Sequence, residues 1–182
     1  SGTCTGPTFT VTVTVNPVPS ISNKTATICS GGTFTVTPAN GGTEIVPSGT
    51  TYTWTAPVIS PAGSITGGSA QPTGQTSISQ ALTNTSNASA TATYTVTPQS
   101  GTCPGPTFTV TVTVNPVPSI SNKTATICSG GTFTVTPANG GAEIVPTGTT
   151  YTWSAPVISP AGSITGGSAQ PTGQTSISQA LT

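Results

Sequence analysis

Charge is nearly absent from this chain. Lys24, Lys123, Glu44 and Glu143 are its only acidic or basic side chains, 2% of 182 residues, and there is no His, Asp, Arg or Met. Two lysines at zero net charge leave no electrostatic attraction for nucleic acid or an anionic membrane surface. General acid–base catalysis, nucleophile activation and metal-assisted hydrolysis draw on His, paired carboxylates or a Lys in a pocket. The expectation is therefore a protein that is not an enzyme and holds no metal or other cofactor. No apolar run approaches the roughly 18 residues of a membrane-spanning helix. The chain also shows no signal peptide, since it opens on a loop, SGTCTG; it reads as an excerpt of something longer.

What is present is alternation. Gly105 to Val117 reads GPTFTVTVTVNPV, and the same residues stand at Gly6 to Val18. From Thr107 to Val114, Phe108, Val110, Val112 and Val114 point one way and Thr107, Thr109, Thr111 and Thr113 the other, as in a half-buried strand. Asn115-Pro116 stops it, because proline cannot donate to a ladder and keeps its predecessor extended. Low charge with modest hydrophobicity often accompanies disorder. Here the apolar residues sit at strand spacing, so burial can outweigh the entropy of ordering.

The sequence repeats. Cys4, Lys24, Cys29, Glu44 and Trp54 recur as Cys103, Lys123, Cys128, Glu143 and Trp153, a period of 99 residues. Residues 1–83 and 100–182 differ only at Thr5/Pro104, Thr43/Ala142, Ser48/Thr147 and Thr55/Ser154. Such a period is a whole domain rather than a solenoid turn. Framed by the Asn-Pro stops, residues 1–16 are the last strand of a preceding copy, 17–115 a complete copy, and 116–182 a copy lacking its last two strands. Gly6–Val15 and the apolar face of 116–182 should then lie uncovered.

Within the complete copy, Ser20–Cys29 reads as a broken first strand and Thr33–Thr37 as a second, with Phe34 inward. Thr51–Ala56 carries Tyr52, Trp54 and Ala56 on one face. Pro57–Gly74 holds at most a short strand near Ser64–Thr66, with Ser30-Gly31-Gly32 and Gly67-Gly68 as turns. Ser77–Leu82 has Gln80 where an apolar residue belongs, a candidate bulge. Thr91–Thr97 sends Tyr94 inward. The fold class is all-β, an immunoglobulin-like β-sandwich per 99 residues, stacked end to end. Its expected core includes Phe34, Trp54, Tyr94, Phe108, Val110 and Val112; a sugar-stacking tryptophan would have to be exposed instead.

TYTW, YTVTP, ICSGG and VTVNPVP resemble the PKD-like, immunoglobulin-fold repeats of very large surface proteins of Bacteroidota, among them gliding-motility adhesins and other exports of the type 9 secretion system. The resemblance covers the whole chain. It implies a secreted, cell-surface module. The acidic calcium-binding positions of related extracellular repeats have no counterpart here.

Two cysteines per copy without His read as disulfides rather than zinc ligands, which implies an oxidising compartment. Cys29–Cys103 within one copy is one pairing. Strand counting puts these residues at opposite ends, so the other joins Cys29 to the last-hairpin cysteine of the next copy; Cys4 and Cys128 would then have partners outside this window. Lys24 and Glu44 read as solvated loop residues, or Lys24 as an inter-copy ion-pair partner of Glu143. A Lys24–Asn115 isopeptide bond would need a nearby carboxylate, and counting puts Glu44 at the other end. Asn23, Asn84, Asn87 and Asn122 stand in N-x-S/T sequons, as chance provides in so Thr-rich a chain.

Function then divides in two. The first expectation is a rigid structural stalk or filament repeat of a secreted adhesin. Its partners are neighbouring repeats of the same chain or other copies in a filament, with no nucleic acid and no membrane insertion, and with its adhesive ligand elsewhere. The second is direct binding of carbohydrate or ice by threonine rows such as Thr109, Thr111 and Thr113, multiplied by repetition.

Overall fold

The computed structural model describes residues 2, 3 and 6–182, and its regular elements there are β-strands. Among the described residues no helix is long and apolar enough to cross a membrane. The first copy holds β1 (Lys24–Cys29), β2 (Thr33–Val36), β3 (Thr51–Trp54), β4 (Val58–Ser60), β5 (Ile65–Thr66), β6 (Gln71–Gln75), β7 (Ile78–Ala81), β8 (Thr83–Asn84), β9 (Ala90–Ser100), β10 (Cys103–Pro104) and β11 (Phe108–Asn115). The main sheet runs β1-β11-β9-β3-β6, and β4 and β10 also pair with β9. β2–β7 and β5–β8 are separate two-stranded ladders.

β9 is the hub of the main sheet because alternating Ala90, Ala92, Tyr94 and Val96 bury one face throughout its length. β11 lies antiparallel to it, Val110 opposite Tyr94 and Val112 opposite Ala92. On its other side β11 takes β1 in parallel, Lys24 level with Val110 and Cys29 level with Asn115. β11 is thus clasped on both edges, and Phe108, Val110, Val112 and Val114 are all buried. Burying each such valine contributes about 1.5–3 kcal/mol. The β2–β7 layer covers this face, with the Phe34 and Tyr94 rings 5.3 Å apart. Trp54, 6% exposed, joins the same core, so it offers no face for stacking on a sugar.

Several elements differ from the sequence expectation. The first strand begins at Lys24 rather than Ser20, which makes only an isolated bridge to Ile45. β3 ends at Trp54, leaving Ala56 exposed. β4 and β6 were not anticipated: β4 is three residues between Pro57 and Pro61, and β6 is QPTGQ. Proline and glycine suit β6 only because it is an edge strand. No bulge occurs at Gln80, since β2 and β7 pair in regular register; the irregularity falls between β3 and β6 instead.

Gln80 is inward for a different reason. Its Oε1 accepts from the Tyr94 hydroxyl (2.9 Å) and from Ser69 N (3.0 Å), and its Nε2 donates to Ser69 O (3.0 Å). Trp54 Nε1 donates to the same Ser69 carbonyl (3.2 Å). One amide side chain therefore ties the second layer to β9 and to the loop between β5 and β6, which Trp54 of β3 also holds. Gly68 lies against this cluster, where an added Cβ would stand 2.6 Å from Pro57 Cγ.

The duplicated sequence shows what the strands depend on. KTATIC is β1 at Lys24–Cys29, beside β11; the identical Lys123–Cys128 has no such neighbour and forms no strand. FTVTVTVN is β11 at Phe108–Asn115, whereas at 9–16 it forms no strand and leaves Phe9, Val11, Val13 and Val15 75–86% exposed. The second copy keeps β12 (Thr132–Val135) paired with β15 (Ile177–Ala180), and β13 (Tyr151–Trp153) with β14 (Gln170–Gln174). These match β2–β7 and β3–β6, the ladders that need neither β9 nor β11.

Replacing Gln80→Ala should strand the buried Tyr94 hydroxyl and loosen the Ser69 loop, lowering the unfolding free energy by about 1–3 kcal/mol. Urea denaturation checks this. Combined with Tyr94→Phe, the loss should be smaller than the sum of the two single losses, since both delete one hydrogen bond.

Candidate functional site

The chemistry of this chain lies at the two ends of the first copy and on the outer face of its main sheet. At the entry end, Pro19 is fully buried and the β9–β10 hairpin closes over it. A Cβ on Gly105 would stand 2.2 Å from the Pro19 carbonyl oxygen, so only glycine allows this approach, and Gly105 N donates to Pro98 O at 2.8 Å. Cys103 sits in the hairpin, paired with Ser100.

At the exit end, buried Asn84 gathers the loops. Its Nδ2 donates to Val114 O (2.7 Å) and Ala88 O (2.8 Å), and its Oδ1 accepts from Ser86 N (2.8 Å). Ser30 Oγ donates to Asn84 O, and Ser89 Oγ to Asn115 Oδ1 (2.8 Å). With its amide buried and twice bonded, Asn84 is not a sugar acceptor. The sequon obscured its role as the pin that holds the end of β11. Beside it an open cavity of about 370 Å³ is lined by Asn87, Ala88, Ser89, Asn115 and Pro116 of this end and by Pro146 and Thr147 of the second copy.

The cysteines of the first copy are not brought together. Cys29 is level with Asn115 at the exit, and Cys103 pairs with the last residue of β9 at the entry. β9 is eleven residues long and spans roughly 33 Å, against the about 7 Å that a disulfide allows between Cα atoms. The pairing within one copy is therefore corrected: among the described residues Cys29, Cys103 and Cys128 form no disulfide. Cys4 lies outside the described residues.

The charges are a second correction. Lys24 pairs with Glu44 of its own copy at 2.5 Å, and Lys123 with Glu143, so neither forms the Lys24–Glu143 contact. β1 runs parallel to β11, which puts Lys24 in the entry half, and the Ser20–Ile45 bridge carries Glu44 to it. Ser22 N also donates to Glu44 Oε1 (3.0 Å). Lys24 is level with Val110, five residues short of Asn115, about 17 Å along the strand, which excludes the isopeptide bond. The hydrogen bonds from Lys24 and then Ser22 hold the Glu44 carboxyl at about 2, and Glu143 is held at about 2 by Lys123 and Ser121. Burial pushes the Tyr94 hydroxyl up to about 12.

The outer face of the main sheet is threonine on four adjacent strands. Thr25, Thr111 and Thr93 stand in one row across β1, β11 and β9, and Thr27, Thr113 and Thr91 in the next. Thr109 opposes Thr95, and Thr97 opposes Thr53. The face offers methyl and hydroxyl groups and no charge.

The model of a family described as PKD-like domain matches residues 26–118, from within β1 to just past the exit of β11. Comparison with curated proteins finds no match.

Two outcomes follow. A carboxyl whose pKa is lowered by folding contributes stability that is whole above about 4.5, its open-chain value, and is lost as pH falls toward about 2. With no His and no carboxylate side chain besides Glu44 and Glu143, thermal midpoints should be flat from pH 7 to 5 and fall below it. Glu44→Gln should lower the neutral-pH midpoint and shrink that acid slope. Asn84→Ala should leave Val114 O unpaired in the interior and cost about 1–3 kcal/mol, read by chemical denaturation.

Proposed function

Since the chain belongs to the PKD-like domain family, we propose that it works as a spacer. In this reading it is a stretch of tandem extracellular immunoglobulin-like modules, residues 17–115 being one unit, that hold the adhesive part of a large secreted bacterial surface protein away from the cell. It contributes reach and stiffness, with no catalysis. The observation that carries this reading is that the backbone enters the first copy under the β9–β10 hairpin and leaves at Asn115, the full length of β9 away. Units joined entry to exit can only continue lengthwise. The Asn115-Pro116-Val117-Pro118 junction supports it, because each proline keeps its neighbour extended and shortens the range of bending. So does the cavity shared by Asn115 and Pro146, where the exit of one copy meets the next. A gliding-motility adhesin of the Bacteroidota type fits the same design.

A second reading, that the repeats themselves bind carbohydrate or ice, draws on the four-strand threonine face, which would recur once per unit. Sheet twist of about 20–25° per strand works against a flat match to a lattice. Thermal hysteresis or glycan retention by the chain, abolished in Thr93→Lys/Thr111→Lys, would favour it over the spacer.

Small-angle scattering on arrays of two, three and four units tests the spacer. The maximum dimension should rise by a constant increment of about 35–40 Å per unit, a sandwich height plus its loops. A dimension that grows only as a compact globule's does, near the 0.38 power of length, would contradict it.

A further inference from the structure

We propose that the cysteines are the covalent staples between neighbouring units: Cys29 at the exit of one unit bonds the hairpin cysteine, the position of Cys103, at the entry of the next. The inference rests on the serial arrangement proposed above and specifies how its joints are held.

Four observations converge on it. The two thiols of a unit sit at opposite ends, so a disulfide made by either must reach beyond the unit. Cys29 is exposed and level with Asn115 on the adjacent strand, and Ser30 N donates to Asn115 O at 2.8 Å, which anchors this turn beside the point where the backbone passes to the next copy. Pro146 and Thr147, which line the cavity with Asn115 and Ser89, are the counterparts of Pro47 and Ser48. Those residues lead into β3, whose Thr51 pairs with Gln99 at the hairpin end. The end of the second copy that faces Asn115 is therefore its hairpin end. The lateral fit follows for units stacked in line, without rotation between them. β10 continues the line of β11 along β9, and Cys29 lies one strand over on β1. Adjacent strands are about 4.8 Å apart, inside the 4.4–6.8 Å that disulfide-linked Cα atoms keep.

Each joint then receives one cysteine of each kind. The two S–H bonds break and one S–S bond forms, while two electrons and two protons pass to the disulfide of a thiol–disulfide oxidoreductase, which leaves as a dithiol. Such partners belong to the oxidising compartments in which secreted proteins mature.

The test appends the sequence of residues 84–115 after Thr182, which completes the second copy and adds one hairpin cysteine to the four present. The dilute protein is oxidised with glutathione disulfide and its monomer treated with iodoacetamide. Two of the five thiols should be protected. Cys29→Ser should abolish the protection, whereas Cys103→Ser and Cys128→Ser should leave it intact. All five thiols reacting, or protection lost in Cys103→Ser, would overturn the staple. Scattering of the same monomer separates this from the spacer itself: an elongated particle with five reactive thiols refutes only the staple, and a compact one refutes the serial arrangement beneath it.

Discussion

The structure depends on the clasp around β11. This strand is held in parallel by β1, which comes from the start of the unit, and antiparallel by β9, which precedes it. The unit is complete only when its last strand lies between β1 and β9. The duplicated sequence isolates this dependence. Eight identical residues are a strand with one face buried at Phe108–Asn115 and exposed, irregular backbone at 9–16. Valine and threonine favour a pleated surface in both places, so propensity is constant and only the neighbours change. Where β9 and β11 are absent, Lys123–Cys128 loses its strand too, while the β12–β15 and β13–β14 ladders persist because their partners lie within the same stretch.

The same clasp fixes the direction of the chain. A parallel first strand runs from entry to exit alongside the last, which places Lys24 near the entry and Cys29 at the exit, and separates the cysteines of one unit. Polar groups rather than charges close the ends: Asn84 pins the exit, and Gln80 bridges the layers through Tyr94 and Ser69. Each ion pair is confined to its own copy, leaving the threonine face neutral.

Much of this was legible in the sequence wherever alternation was strict. Phe34, Trp54, Tyr94, Phe108, Val110 and Val112 are buried because period-two spacing leaves them a single face to occupy. The period of 99 residues and the Asn-Pro stops follow from reading alone. What escaped was set by partners distant in the chain. β4 and β6 carry proline and glycine and become strands only as additions to a sheet that already exists. Gln80 looked like a break in the pattern because its partner, the Tyr94 hydroxyl, is on another layer. Lys24 and Glu44 were assigned to opposite ends because composition does not reveal that the first strand runs parallel to the last. Asn84 was hidden by a sequon that its burial makes irrelevant.

Residue-resolved amide hydrogen exchange by NMR tests the clasp most directly, because it compares identical residues in two settings within one molecule. The amides of Phe108–Val114 should exchange far more slowly than those of Phe9–Val15, and those of Lys24–Cys29 more slowly than those of Lys123–Cys128. Equal protection in the paired segments would mean that the sequence forms strand without its neighbours, and the account of the clasp would be wrong.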